Sequence, residues 1–72
     1  MSNLPKALEE LIEALGQLPG VGPRTAERYA YYLLKNDSNK SGKIAESLKY
    51  LHEGVKQCPV TYALIDADED IS

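Results

Sequence analysis

The sequence lacks several features that would point to particular classes of protein. None of its 72 residues is Trp or Phe, and Cys and His occur once each, as Cys58 and His52. One cysteine forms no internal disulfide and gives no sign of secretion. No apolar run reaches the roughly 18 residues of a membrane span, and the polar start is not typical of a signal peptide. We therefore expect one small cytoplasmic domain without membrane contact.

Strong positive charge is also missing. The chain has eight Lys and Arg against eleven Asp and Glu, but the acidic excess comes from a cluster near the end, at Asp66, Asp68, Glu69 and Asp70. We expect this cluster to be a solvated chain end. Residues 1–65 then carry eight basic and seven acidic groups. Any DNA contact should therefore use few phosphates, rely partly on backbone amides and be weak in one copy.

Apolar spacing predicts a first helix with one buried face. Its apolar residues recur every three or four positions, at Leu4, Leu8, Leu11, Ile12 and Leu15. Ser2 or Asn3 can cap it, and Pro5 suits its first turn. Gly16 is a plausible stop.

A second helix is predicted from Pro23 to about Lys35. Its expected buried stripe is Ala26, Tyr29, Ala30, Leu33 and Leu34. It should be broken by four residues that hydrogen-bond their own backbone in turns, Asn36, Asp37, Ser38 and Asn39.

A third helix is predicted to start between Ser41 and Lys43 and to end before Pro59. Its apolar residues at helical spacing are Ile44, Ala45, Leu48, Leu51 and Val55. The run that follows mixes β-branched, aromatic and apolar residues, at Val60, Tyr62, Leu64 and Ile65. It predicts either one strand or an unpaired extended end, since no partner strand is evident.

The turn between the first two helices is rich in glycine and precedes a helix that begins at a proline. Gly20 and Gly22 can adopt φ values closed to other residues, while Leu18 and Val21 supply an apolar side that pins the turn. Residues 18–22, LPGVG, flanked by amphipathic helices, resemble the helix-hairpin-helix DNA-binding motif. The predicted fold is therefore all-α, a small helix-hairpin-helix domain of three main helices with a short extended C-terminal tail.

This turn has the chemistry to hold a phosphate. Free N–H groups and the positive end of the helix dipole meet at a helix start, and two arginines one turn apart add charge. The predicted DNA-binding residues are Gly20, Val21, Gly22, Arg24, Thr25 and Arg28. Such contacts do not read bases, so binding would be independent of sequence. The alternative is that LPGVG is only a tight turn between helices.

A longer part of the chain, about residues 4–66, resembles one family. The segments LIEAL at 11–15, PRTAER at 23–28 and CPV at 58–60 look like the N-terminal region of the bacterial RecR recombination mediator family. The resemblance implies a helix-hairpin-helix domain at 1–57 and the remnant or start of a zinc-finger-like segment at 58–72. It also implies non-specific DNA binding, homo-oligomeric rings, and recombinational repair together with RecO and RecF.

Two departures limit what the resemblance carries over. The family places a second zinc ligand three residues after Cys58, where this chain has Thr61, and one cysteine cannot hold a tetrahedral zinc. The Toprim domain that follows in the family is missing, so we expect a fragment, a truncated gene product or a stand-alone relative. We predict no metal and no cofactor.

The hairpin also resembles that of the DNA glycosylases with lyase activity, which are enzymes. Those enzymes place a nucleophilic lysine just after the hairpin, where this chain has Arg24, which stays protonated. No acidic residue lies between Asp37 and Glu46, where their essential aspartate is expected, and their iron–sulfur cysteines are missing. We predict no catalytic activity.

Three tyrosines are predicted off the apolar stripes of their helices, at Tyr31, Tyr32 and Tyr50. Surface aromatics either stack on exposed bases or pack in a protein interface. Packing against a second subunit, or partial burial at a helix edge, is the simpler interpretation. Because small scaffolds often gain stability by oligomerising, we expect a homodimer. The alternative function is accordingly a protein-interaction or dimerisation domain.

Overall fold

A computed structural model describes residues 3–69 of the chain. Its elements follow the order α1 (Lys6–Leu15), α2 (Pro23–Lys35), α3 (Ser38–Gly54), β1 (Val55–Gln57) and β2 (Leu64–Asp66). The predicted helical fold with three main helices and an extended C-terminal segment is confirmed. The chain divides into two compact units, Met1–Ser41 and Gly42–Ser72.

The first helix begins one residue later than its proline. Pro5 is the N-cap residue, with φ −56° and ψ 144°, and its carbonyl accepts the N–H groups of Leu8 and Glu9 at 3.0 Å each. No side chain caps this end, so Asn3 does not act as predicted, and Ser2 lies outside the described residues. Gly16 ends the helix as expected.

The core of the first unit lies where α1 packs against α2. Leu8, Ala26 and Ala30 are buried there, and the other predicted apolar residues of α1 are half-buried. Small side chains on α2 let the two backbones approach closely, which explains why two alanines are the most buried residues. The prediction was wrong for Tyr29 and Leu34, which are exposed. Tyr29 lies at the edge of the alanine stripe, and Leu34 continues it into the last turn of α2 but lines an open groove with Leu8 and Leu11.

The third helix starts earlier than predicted, at Ser38. Asp37 explains the difference, because its Oδ1 accepts the N–H of Asn39 at 2.9 Å and its carbonyl accepts the N–H of Lys40 at 3.0 Å. This is the bonding of a helix N-cap. Only Asn36 and Asp37 therefore separate α2 from α3, and Asn36 ends α2 by donating from its N–H and its side chain to the Tyr32 carbonyl.

The predicted apolar stripe of α3 is not buried within the described residues. Ile44, Leu48 and Leu51 are 43%, 61% and 53% exposed, and Gly54 is the one residue of this helix classed as buried. The stripe predicts which side of the helix is apolar, but burial needs a second surface. The described residues 3–69 leave this side open.

The second unit ends in a two-stranded antiparallel hairpin. Val55, predicted as part of the third helix, begins β1 and pairs with Asp66, and Lys56 pairs with Ile65. The uncertain run after Pro59 thus gains a partner strand from the residues that follow α3. Of the acidic cluster, Asp66 lies in β2, Asp68 and Glu69 are exposed, and Asp70 lies outside the described residues.

No helix among residues 3–69 is long and apolar enough to span a bilayer.

Candidate nucleic-acid interface

The turn between α1 and α2 depends on one glycine with a left-handed backbone. Gly20 has φ +81°, and the N–H of Val21 closes the turn by donating to the Leu18 carbonyl at 3.1 Å. The expected role of Gly22 was wrong, because its φ of −81° and ψ of 175° are open to any residue. Leu18 is exposed, so Val21, which is half-buried, is left to pin the turn.

Several backbone donors remain free at the start of α2. The N–H of Ala26 makes the first helical bond, to the Gly22 carbonyl at 2.9 Å. Four N–H groups that precede it in the chain have no acceptor within residues 3–69. They belong to Gly20, Gly22, Arg24 and Thr25. Pro23 at the first helical position has no N–H, and that of Val21 is used in the turn. Four of the six predicted site residues thus offer unpaired donors at the positive end of the helix dipole.

A pair of alanine substitutions separates the two glycines. Gly20→Ala is expected to lower the free energy of unfolding by about 1–2 kcal/mol, because an L-residue is strained at positive φ. Gly22→Ala has an ordinary φ and nothing within 4 Å of the added Cβ, so its effect should stay below about 1 kcal/mol. Urea denaturation followed by far-UV circular dichroism measures both. Equal destabilisation by the two variants would contradict the assigned conformations.

The side of α2 opposite its buried alanines is basic and aromatic. At 3.6 residues per turn, five exposed residues lie within an arc of about 100° facing away from Ala26 and Ala30. These residues, called here the cationic face, are Arg24, Arg28, Tyr31, Tyr32 and Lys35. The face contains three cations and no carboxylate. Residue-by-residue prediction included the two arginines but missed Lys35, although its spacing of seven residues from Arg28 placed it on the same side.

A fourth cation joins this face from α3. Lys40 Nζ lies 2.9 Å from the hydroxyl of Tyr32 and 5.2 Å from the centre of its ring. Arg28 Cζ lies 5.8 Å from the ring centre of Tyr29. Lys40 was also missed by sequence reasoning, because its approach to Tyr32 depends on the short connection between α2 and α3. Lys40 therefore lies at the exposed ring of Tyr32, while the guanidinium of Arg28 lies over the neighbouring ring of Tyr29.

The acidic side chains of the first unit lie elsewhere. Four carboxylates line a groove formed by α1 and the start of α2, at Glu9, Glu10, Glu13 and Glu27. Lys6 is the one Lys or Arg among the described residues that line it. Although residues 1–41 contain equal numbers of acidic and basic groups, the charges are separated in space. Residues 1–41 are therefore near-neutral in total charge and still present a cationic face.

Cys58 forms a tight turn at the end of β1. Cys58 is 2% exposed, its N–H donates to the Ala63 carbonyl at 2.8 Å, and its carbonyl accepts the Tyr62 N–H at 2.8 Å. A hydrogen bond from the Thr61 side chain, with backbone bonds from Thr61 and Val60, lowers the pKa of the Cys58 thiol below its ordinary value. The bonds favour the charged thiolate and outweigh the opposing effect of burial.

The residues around Cys58 do not fit a zinc ion. Thr61 stands three residues after Cys58 where a second thiolate ligand would be needed, and within residues 3–69 no group of three or more His, Cys, Asp or Glu is placed to hold a metal ion. A structural zinc needs four ligands. His52 is exposed on α3.

Comparison with known proteins identifies the family. The family model described as "RecR, helix-hairpin-helix" matches residues 8–51. The chain belongs to the RecR family. The matched stretch contains the hairpin, all of α2 and most of α3, and it ends before Cys58. The cationic face on α2 therefore lies wholly within the stretch that the family model matches, and the cysteine turn lies outside that stretch.

Curated relatives agree with this result. The protein named "Recombination protein RecR" from Natranaerobius thermophilus is 41% identical over 68 residues, which cover 94% of this chain and 34% of the relative. RecR from Desulfatibacillum aliphaticivorans matches with the same identity and coverage, and RecR from Bdellovibrio bacteriovorus is 39% identical over 62 residues. The chain spans about a third of the length of these RecR proteins.

Proposed function

We propose that this chain binds the DNA backbone, single- or double-stranded, without sequence preference. The observation that supports this most directly is a set of N–H groups that have no acceptor among residues 3–69 and lie beside the two arginines of α2, at Gly20, Gly22, Arg24 and Thr25. Oriented amides and the helix dipole bind phosphate oxygens, and the guanidinium groups add charge-assisted bonds. Phosphates are the same at every step of a nucleic acid, so such a site does not distinguish sequences.

Recombinational DNA repair is the proposed setting of this binding. Membership of the RecR family and the relatives' name, recombination protein, support it. One hairpin contacts only a few phosphates, so useful affinity requires several copies along one DNA. We therefore include homo-oligomerisation in the proposal. Family membership leads us to add the partners RecO and RecF and a cytoplasmic location.

Catalysis is not part of the proposed function. Position 24, where the lyases with this hairpin carry a nucleophilic lysine, holds an arginine. A guanidinium remains protonated at any pH at which the protein is folded, so it cannot attack a carbonyl carbon. The other hairpin groups are backbone amides and Thr25, which suit binding rather than bond cleavage.

The alternative function is an assembly domain in which the hairpin is only a turn. It is favoured by the apolar side of α3, where Ile44, Leu48 and Leu51 are exposed within the described chain. Apolar residues aligned along a helix are typical of a protein contact. Assembly is compatible with DNA binding, so the two functions differ only in what the hairpin does.

A salt titration tests the proposal against the alternative. Binding of the chain to single- and double-stranded oligonucleotides is measured by fluorescence anisotropy at increasing salt, with the oligomeric state followed by light scattering. The proposed function predicts binding that weakens with salt with a shallow logarithmic slope, corresponding to about two to four phosphates per hairpin. An oligomer that binds neither oligonucleotide at low salt would favour the assembly domain.

A further inference from the structure

Tyr32 lies exposed at the centre of the cationic face. It is 52% exposed, Arg28 precedes it by one helical turn, Lys35 follows it, and Lys40 Nζ contacts its hydroxyl. Tyr31 lies beside it and is 37% exposed. No carboxylate belongs to the face, although its unit contains five. An apolar aromatic surface is therefore kept open among positive charges.

A second copy of this chain is a poor occupant for this face. A two-fold dimer places the same patch on both sides of the contact. Arg28, Lys35 and Lys40 would then approach the same three cations of the other subunit, and like charges at an interface cost energy. This argues against the subunit packing that we expected for Tyr31 and Tyr32 from the sequence. The apolar side of α3, which has no such charge concentration around Leu48 and Leu51, is better suited to a subunit contact.

A single strand of nucleic acid matches both properties of the face. Its phosphates carry negative charge, and its unpaired bases have flat apolar surfaces that stack on aromatic rings. A duplex offers the phosphates but keeps its bases stacked on each other. The combination of cations and an open ring therefore distinguishes the two forms of DNA, which phosphate contacts at the hairpin do not.

We propose that the cationic face is a single-strand binding site that continues from the hairpin, in which an unpaired base stacks on Tyr32. Arg28, Lys35 and Lys40 bind the flanking phosphates, and Tyr31 supports the neighbouring base. The hydrogen bond from Lys40 to the Tyr32 hydroxyl positions the ring. This inference rests on the proposed DNA binding and adds a preference for unpaired strands.

The test compares three ligands with the same number of phosphates per strand: oligothymidine, an abasic strand and a duplex. Tyr32→Leu removes the aromatic surface and is expected to lower the affinity for oligothymidine about tenfold, which corresponds to the loss of one stacked base. Affinities for the abasic strand and the duplex should change less than about twofold. Tyr32→Phe keeps the ring and should retain most of the oligothymidine affinity. Tyr50→Leu is the matched control, because Tyr50 is an exposed tyrosine of α3 that is not one of the residues of this face.

A second measurement reports the stacking directly. The chain has five tyrosines and no tryptophan, so its fluorescence comes from tyrosine. Oligothymidine should quench this emission in the wild-type chain more strongly than the abasic strand does, and Tyr32→Leu should remove the difference. Circular dichroism checks that each variant is folded, which the exposure of Tyr32 leads us to expect.

Each result bears on one of the two proposals. Equal losses for all three ligands in Tyr32→Leu, or no loss for oligothymidine, would overturn base stacking while leaving backbone binding in place. Loss of oligomer mass in Tyr32→Leu with unchanged oligothymidine affinity would make the face a subunit contact and also overturn the inference. If Arg24→Ala leaves all affinities unchanged while Tyr32→Leu acts as expected, the hairpin proposal fails and the stacking site stands.

Discussion

Leu8→Ala is expected to unfold most of the first unit at room temperature. Leu8 is the one large side chain in residues 3–41 classed as buried, at 9% exposure, on the face of α1 that packs against α2. Removing a buried leucine beyond Cβ costs about 2–5 kcal/mol, because apolar contact is lost and a cavity remains. A core this small supplies no more than about 3–5 kcal/mol in total. Far-UV circular dichroism during urea denaturation measures the loss.

Leu34→Ala is the matched control. It removes the same atoms from a helix of the same unit, but Leu34 is 65% exposed. Its free energy of unfolding should change by less than about 0.5 kcal/mol, the usual limit for surface substitutions. If both variants unfold alike, or if Leu8→Ala melts as the wild type does, α1 does not pack on α2 as described.

The double substitution Arg24→Ala/Arg28→Ala is expected to lower DNA affinity on the order of 100-fold at low salt. Each guanidinium that binds a phosphate contributes one charge-assisted bond, and each lost contact should reduce the salt slope by about one. Both side chains are exposed, so the fold should be retained. Single- and double-stranded ligands should both lose affinity, because the lost contacts are to the backbone. Fluorescence anisotropy over a range of salt concentrations measures affinity and slope together.

Lys6→Ala/Lys49→Ala controls for charge. It removes the same number of positive charges from exposed positions outside the cationic face. Its effect on affinity should be several-fold smaller, because neither side chain belongs to the proposed contact surface and exposed charges are screened by salt. If the arginine variant leaves DNA affinity unchanged, the hairpin is not the contact site. If the two double variants lose affinity equally, only general charge matters.

Local chemistry made much of the first unit predictable. Pro23 begins α2 because its φ suits a first helical turn, and Gly20 takes the positive φ that the turn requires. The start of α3 was predicted too late although its signal was local, since Asp37 is a residue type that caps helices. Asp37 was predicted only to end α2, so its role as the N-cap residue of α3 was missed.

Contacts between distant residues were not predictable in the same way. The strand at 64–66 was expected without a partner, and the partner was residues 55–57, which continued the helical spacing of α3. Periodicity cannot show where a helix stops when a strand of three residues follows it. Likewise, the spacing of Leu48 and Leu51 indicated an apolar side, but not that the described chain would leave it open.

The sequence by itself determined the three helices, the glycine turn and the family, because these follow from residue types at short spacing. The tertiary structure alone decided which face of each helix is covered. The packing of α1 on Ala26 and Ala30 turns Arg28, Tyr32 and Lys35 outward together, and the short connection to α3 brings Lys40 to the same ring. The charged and aromatic residues can be counted from the sequence. Which of them share one exposed side of α2 depends on which face of that helix is buried against α1.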